Sequence, residues 1–399
     1  MIRFTAKLGI YFMLLDNTEN GFILKSNFEL KKAYFLFKII SNRALTNIGK
    51  NALELSLKLK LPILFIVKGT VFEQFCSGET LDESFKTVQK LYEKNVKSYL
   101  HYSVEGLENE ESYDLSLKEV LNSIDFVAKR NILDFTVFKP TAIASSKILQ
   151  KVSEKKELDE VEKELFDKAV ERFNEICSLA HKRDVKILVD AEESWIQDAI
   201  DQIVLKMMLK YNKEKAIVYN TSQMYRNDRL KYLKSLKEIA KKEEIFVGIK
   251  LVRGAYIEKE NKRALKNNYK SPICGSKDLT DINFNSGAEF ILSNLTLFSF
   301  FSGTHNEKSI YKIIDIMESK KINNNDSKIW FGQLYGMSDN ISFNLAKNGF
   351  NVIKYLPFGP IKKVIPYLIR RAEENTSVKG QTSRELELIK TELKRRKTT

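Results

Sequence analysis

From about residue 96 onward, short apolar runs alternate with long amphipathic segments. The runs are Ser98–Val104, Phe135–Thr141, Val185–Glu192, Ala216–Gln223, Phe246–Tyr256, Leu297–Asn306, Ile329–Met337 and Val352–Gly359. They are rich in Val, Ile and Phe, the residues that suit strands buried on both faces. Between them, segments such as Glu160–Arg183, Trp195–Tyr211 and Leu230–Lys242 place apolar residues every three or four positions and charges elsewhere. That is the pattern of helices with one face turned to a core. Strand then helix, repeated about eight times, predicts an α/β chain closed into a (β/α)8 TIM-type barrel. A doubly wound open sheet is the competitor, but no G-x-G-x-x-G follows the first run.

Residues 1–95 read as an N-terminal helical arm. Leu30 to Lys60 repeats apolar residues at helical spacing, with Asn51 as a cap or break and Leu61-Pro62 as the stop. Ile63 to Phe75 is apolar enough to predict a buried helix, and Thr80-Leu81-Asp82-Glu83 reads as a capping box opening the next one. The expected division is arm 1–95, barrel 96–380 and a charged tail 381–399, with Arg384 to Arg396 as a charged solvated helix or tail.

A formal net charge of +14 and a hydrophobic fraction of 43% refine this picture. The positive balance is compatible with nucleic acid, an anionic membrane or anionic substrates. It is spread along the chain, with Lys interleaved with Glu, so a solvated surface is the preferred reading and no nucleic-acid motif appears. Cys76, Cys177 and Cys274 lack CxxC spacing, which predicts a reducing compartment and neither a disulfide framework nor a zinc site. The apolar patch Leu8–Leu15 is too short to cross a bilayer. A cytoplasmic protein is the expectation.

The runs end in groups that a structural strand does not need. Barrel enzymes carry their chemistry on the carboxyl ends of several strands. Here those ends are Lys139-Pro140-Thr141, Asp190-Ala191-Glu192, Asn220 to Gln223, Lys250 to Tyr256, Thr304-His305-Asn306, Gln333 to Met337 and Tyr355 to Gly359. In Lys250-Leu251-Val252-Arg253-Gly254-Ala255-Tyr256, the cations suit an anionic ligand and Gly254 permits close backbone approach. On the last amphipathic segment, Arg370 and Glu374 lie one turn apart, which reads either as an exposed helical ion pair or, with Arg371 adjacent, as a guanidinium pair that grips a carboxylate. Three histidines, His101, His181 and His305, without HxxxH spacing predict no metal site. No G-x-S-x-G elbow or phosphate-gripping loop is present.

These residues resemble the proline dehydrogenase family. The resemblance rests on Lys250–Tyr256, Tyr355-Leu356-Pro357-Phe358-Gly359 and Tyr367 to Asn375. Further matches are Phe138–Thr141, Val189–Glu192, Gln223-Met224-Tyr225, Thr304–Asn306 and Gly332 to Met337. It implies a (β/α)8 barrel holding FAD and oxidising L-proline to Δ1-pyrroline-5-carboxylate, with hydride passing from proline C5 to flavin N5. It further implies that Arg370 and Arg371 bind the substrate carboxylate, balanced by Glu374. Lys139 and Asp190 would complete the pocket, and Tyr355 and Leu334 would close over the ring. Gln223, Lys250, Arg253, Gly254, Ala255, Tyr256, Thr304, His305 and Asn306 would hold the flavin, with Lys277 and Thr280 toward its adenosine end. Some relatives carry Arg at the position of Lys250 and Lys at that of Arg253.

The family commonly passes electrons to a membrane quinone, so peripheral membrane contact through the basic surface and the arm is a further expectation. The chain carries no aldehyde dehydrogenase part, so a separate pyrroline-5-carboxylate dehydrogenase is the expected pathway partner. 4-Hydroxyproline dehydrogenase is the near alternative, and a basic nucleic-acid-binding protein the distant one.

Overall fold

The computed structural model describes residues 14–59, 62–103, 108–377 and 381–398, apart from the side chains of 54, 57, 373–377 and 381. Eight parallel strands follow in chain order around a closed sheet. They are β1 (Val96–Tyr102), β2 (Leu133–Phe138), β3 (Lys186–Val189), β4 (Val218–Gln223), β5 (Val247–Val252), β6 (Phe298–Gly303), β7 (Ile329–Leu334) and β8 (Val352–Phe358). The (β/α)8 reading therefore holds. Most strands stop before the run does: β3 ends at Val189 and β5 at Val252, so Asp190–Glu192 and Arg253–Tyr256 leave the ladder. Part of the reactive set therefore stands on loops just past the strands, while Gln223, Lys250, Leu334 and Tyr355 lie within them. The N-terminal patch Leu8–Leu15 falls almost wholly outside the described residues, as do Val104 and Leu61.

The chain divides into two compact units, one of residues 106–332 and the other of 1–105 with 333–399. In the first, β2 to β7 pair in parallel register. Their inner face is aromatic. Phe135 meets Tyr219, Phe301 and Trp330 edge-on, with centroids at 5.7, 5.7 and 5.2 Å. Gly332 makes room for this packing, since a Cβ there would lie 2.3 Å from the Phe301 ring. Each such buried ring contributes about 2 kcal/mol, and edge-on pairs add to that. The helix Glu160–Lys182 opens with a full capping box between Asp159 and Glu162 and buries Ala169, Phe173, Ile176, Cys177 and Ala180. Phe173 packs edge-on to Phe138 at 5.2 Å, which fixes the carboxyl end of β2.

In the second unit, β1 pairs with β8 from Val96 opposite Val352 to Tyr102 opposite Phe358. The arm is helical, but its breaks differ from expectation. The helices Asn27–Ile40 and Arg43–Lys58 part at Ser41-Asn42, and Asn51 lies inside the second. Asn42 Oδ1 accepts from the amides of Ala44 and Leu45, so the capping asparagine is this one.

The Ile63–Phe75 segment is not a buried helix. A π-helical turn at Lys68–Phe72 interrupts it and re-aims its faces. Phe72 and Phe75 are buried, while Phe65 and Ile66 are 73% and 53% exposed. Thr80 caps the helix Leu81–Tyr92 through the Glu83 amide, but the Glu83 carboxylate turns to the Glu79 amide, so only half of the capping box forms.

The charged tail is also not solvated. The helix Gln381–Thr398 packs on Asn27–Ile40 and buries Leu388, Ile389, Glu385 and Glu392. Glu392 is tolerated there because Thr18, Arg395 and Arg396 all donate to it.

Candidate functional site at the strand ends

In the 106–332 unit, the ends of β2 to β6 gather charge above the aromatic floor. Lys250, near the end of β5, is 7% exposed, and its Nζ lies 2.6 Å from Asp190 Oδ1 just beyond β3. Alternation along β5 and the parallel register set Thr221 beside Lys250 and Phe301 on its other side. Thr221 Oγ1 is buried and has no hydrogen-bond partner among the described residues. Gln223, ending β4, donates from Nε2 to the Glu192 carbonyl at 2.6 Å and accepts from the Ala255 amide at 3.4 Å.

Glu192 accepts from the Thr141 amide and hydroxyl at 2.7 and 2.6 Å. Burial raises its carboxyl above the ordinary range, against the nearby Lys139 cation and the two Thr141 bonds. Lys139 caps the short 3₁₀ helix Pro140–Ala142 directly after β2.

Arg253 anchors the next group. Its Nε donates to Asp281 at 2.6 Å, Nη1 to Thr304 at 2.7 Å and Nη2 to Ser309 at 2.8 Å, and the guanidinium lies 4.6 Å over the Phe284 ring. Lys277 reaches the same Asp281 carboxylate at 2.8 Å. Burial works to raise the Asp281 carboxyl, but the bonds from Lys277 and Arg253 outweigh it and hold it below its ordinary value. Gly254 adopts φ +125°, and a Cβ there would stand 2.5 Å from the Tyr225 ring, so this turn needs glycine.

Thr304 Oγ1 also accepts from the Asn306 amide at 3.1 Å, and Asn306 caps the helix Glu307–Ser319 through Ser309. Tyr256 stands at the start of the helix Ile257–Lys266, and His305 is half-buried between Thr304 and Asn306. Thr280 is buried in the first turn of Lys277–Leu292, its hydroxyl bonded to the Ser276 carbonyl.

The other unit carries the remaining candidates. Tyr355 on β8 is buried, with its hydroxyl 2.6 Å from His101 Nδ1. Leu334 ends β7 half-buried, and its carbonyl accepts from Lys354 at 3.3 Å. Arg370 and Arg371 are half-buried on the helix Ile361–Ser377, which begins before Pro366, and Arg371 lies 5.2 Å over the Tyr367 ring. The Glu374 side chain lies outside the described residues.

A closed parallel barrel with paired and buried charges at its strand ends defines a barrel of enzyme type. The comparisons narrow that class. The family model described as "Proline dehydrogenase" matches residues 84–384. "Carbapenem antibiotics biosynthesis protein CarD" of Pectobacterium carotovorum subsp. carotovorum is 35% identical over 81% of this chain and 83% of its own. "Proline dehydrogenase 1, mitochondrial" of Dictyostelium discoideum is 32% identical over 95% of this chain and 74% of its own. The proline utilization A structure from Bdellovibrio bacteriovorus superposes with a TM-score of 0.70 at 20% identity, covering 77% of this chain and 33% of that longer one. The chain belongs to the proline dehydrogenase family.

Several residues now central had no assigned role in the sequence. Asp281, which gathers Arg253 and Lys277, was legible as an acidic residue one turn after Lys277. Glu192, Thr141 and Ser309 join through bonds that only the fold makes. His101, to which the sequence assigns no role, bonds a tyrosine.

Proposed function

We propose that this protein is an FAD-dependent dehydrogenase of L-proline that forms Δ1-pyrroline-5-carboxylate. The observation that carries the reading is the convergence of Arg253 and Lys277 on one carboxylate, beside the Lys250–Asp190 pair, at family-matched strand ends. The cluster fits FAD. Two cations share the single Asp281 charge, leaving positive charge for a diphosphate, while Gly254 opens the backbone and Thr221 Oγ1 offers an unused buried hydroxyl.

Gln223, Lys250, Arg253, Gly254, Ala255, Tyr256, Thr304, His305 and Asn306 would hold that group, with Lys277 and Thr280 toward its adenosine end. FAD, when bound, supplies a hydride acceptor. The chain's own residues supply the rest. Arg370 and Arg371 bind the substrate carboxylate, as planar guanidinium groups do in two-bond fashion, with Glu374 balancing them. Lys139 and Asp190 complete the polar wall, and Tyr355 and Leu334 cover the ring. Lys250, held by Asp190, stabilises negative charge developing beside it. Proline must present its amine unprotonated for hydride loss, so the reacting form is neutral at its ring nitrogen.

The electron acceptor in this reading is a quinone at a membrane, and the arm supports it. In Arg43–Lys58 and just beyond, Leu45, Ile48, Ala52, Leu55 and Leu59 recur every three or four residues. The four large ones are 45%, 64%, 58% and 61% exposed. Among residues 23–68 there are nine Lys or Arg against two Glu, half the chain's net charge. An exposed apolar stripe amid cations suits an anionic bilayer surface; a second copy would bring like charge against like. Among the described residues no helix is long and apolar enough to cross a membrane. The protein should co-sediment with vesicles containing anionic lipid, and Ile48→Glu with Leu55→Glu should release it; equal binding by that variant contradicts this surface.

The activity itself is tested by turnover with a dye acceptor and trapping of the cyclic imine product. Proline turnover with imine accumulation is expected; turnover of 4-hydroxyproline in preference would move the assignment to that substrate.

A further inference from the structure

The β1–β8 pair carries a buried polar cluster in which Tyr355 alone has been given a role. Parallel register sets Tyr99 opposite Tyr355, and side chains two apart on a strand share a face, so His101 stands beside Tyr355 as well. The His101 and Tyr355 rings stack with centroids 5.4 Å apart and planes at 30°, while Tyr99 closes edge-on at 5.3 Å. The Tyr355 hydroxyl lies 2.6 Å from His101 Nδ1, and Ser103 Oγ lies 2.8 Å from that same nitrogen. Ser103 also donates to the His101 carbonyl at 3.3 Å. His101, Ser103 and Tyr355 are each less than a tenth exposed.

An imidazole nitrogen is either a donor or an acceptor. With the Ser103 proton directed at the His101 carbonyl, Nδ1–H can give its proton to the Ser103 and Tyr355 oxygens. With Nδ1 bare, Tyr355 donates to it. In both tautomers the phenolic oxygen is drawn to the imidazole and the ring is clamped between His101 and Tyr99. We propose that His101 is a positioning residue that fixes Tyr355 and thereby sets the preference for a substrate ring without a 4-hydroxyl. This rests on the reading of Tyr355 as a wall of the proline pocket.

The consequence for substrates follows from what Tyr355 then presents. A hydroxyl tied to His101 leaves aromatic carbon toward the ring, which suits the apolar methylenes of proline. A 4-hydroxyl against that carbon loses its water without gaining a partner, which costs about 10- to 100-fold in kcat/KM. A clamped ring also needs no ordering when substrate arrives, and that saving appears in KM.

The test compares wild type, His101→Leu, His101→Asn, Tyr355→Phe and the His101→Leu/Tyr355→Phe double variant, each checked for bound flavin. The readouts are kcat and KM for L-proline and trans-4-hydroxy-L-proline. In His101→Leu, the proline KM should rise about 10-fold with kcat within about threefold, and the proline-to-hydroxyproline ratio of kcat/KM should fall about 10-fold. His101→Asn, whose amide can meet the tyrosine oxygen, should recover most of that ratio. Tyr355→Phe alone should lower the ratio similarly, and adding His101→Leu to it should lower it by clearly less than His101→Leu does in wild type, since only the ring stack is left to lose. Tyr355→Phe reads the same bond should His101→Leu fail to fold. An unchanged ratio in flavin-loaded His101→Leu, or full additivity in the double variant, overturns the proposal. A wild type that oxidises neither substrate instead overturns the functional reading beneath it.

Discussion

In two buried clusters of charge, one carboxyl each is shifted in opposite directions, Asp281 down and Glu385 up. At the strand ends, Asp281 takes bonds from Arg253 and Lys277, and those cations hold it below the ordinary carboxylate range despite burial. Beside the C-terminal helix, Glu385 accepts from the Ser338 amide, close to Asp339. There Lys354 spends its charge on Asp339 at 2.8 Å and on two carbonyls. Burial first, and then Asp339, push Glu385 up to about 7. The first cluster has more cations than carboxylates, with Lys139, Lys250, Arg253 and Lys277 near Asp190, Glu192 and Asp281. The second only docks a helix onto the turn between β7 and the helix Asp339–Lys347. Buried charge alone does not mark a site; surplus charge facing a strand end does.

The contrast breaks most visibly at Arg253. Arg253→Met removes three hydrogen bonds to Asp281, Thr304 and Ser309 and leaves the half-buried Asp281 carboxylate with Lys277 as its remaining cation. Flavin affinity should fall about 100-fold or more, read as flavin per protein after gel filtration. Retention of full flavin would place the diphosphate elsewhere.

Arg370→Met or Arg371→Met should instead leave flavin bound and raise the proline KM about 30- to 100-fold, the loss of a charged bond to a carboxylate. Parallel loss of flavin would contradict the carboxylate role. Lys250→Met leaves Asp190 without its cation and should lower kcat about 10- to 100-fold at near-normal flavin content, measured as the rate of flavin reduction.

The smallest effect lies in the other cluster and concerns stability alone. The folded Glu385 binds its proton more tightly than the unfolded chain does, so its contribution is complete below about pH 4.5 and is lost as pH rises through about 7. Between pH 5 and pH 8 this group should cost up to about 3 kcal/mol. Glu385→Gln should match wild type in melting temperature at pH 5 and exceed it at pH 8, with proline kinetics unchanged. A pH-independent difference would show that Glu385 does not titrate in this range.

The same contrast explains what the sequence could reveal. The strands were legible because parallel strands are apolar along their length, and their ends because charge stops that run abruptly, as at Lys250 and Arg253. The docking of the C-terminal helix was not, since a helix bearing Glu385, Glu392, Arg395 and Arg396 has the composition of a solvated one. Only tertiary partners such as Thr18 and Ser338 show that it is docked. The segment Leu64–Val67 errs the other way: its apolar composition reads as core, yet the following π turn leaves Phe65 and Ile66 outside. Local pattern reports what a segment prefers, and the neighbours decide which preference is met. His101 illustrates this at the scale of one bond, because its partner Tyr355 lies 254 positions away.

The most direct measurement is made in one anaerobic cuvette. The purified protein, supplied with FAD, should be yellow, and L-proline added without any other acceptor should bleach the flavin absorbance in proportion to enzyme, with cyclic imine formed mole for mole. A protein that takes up no flavin, or a yellow protein whose spectrum proline leaves unchanged, would contradict the account.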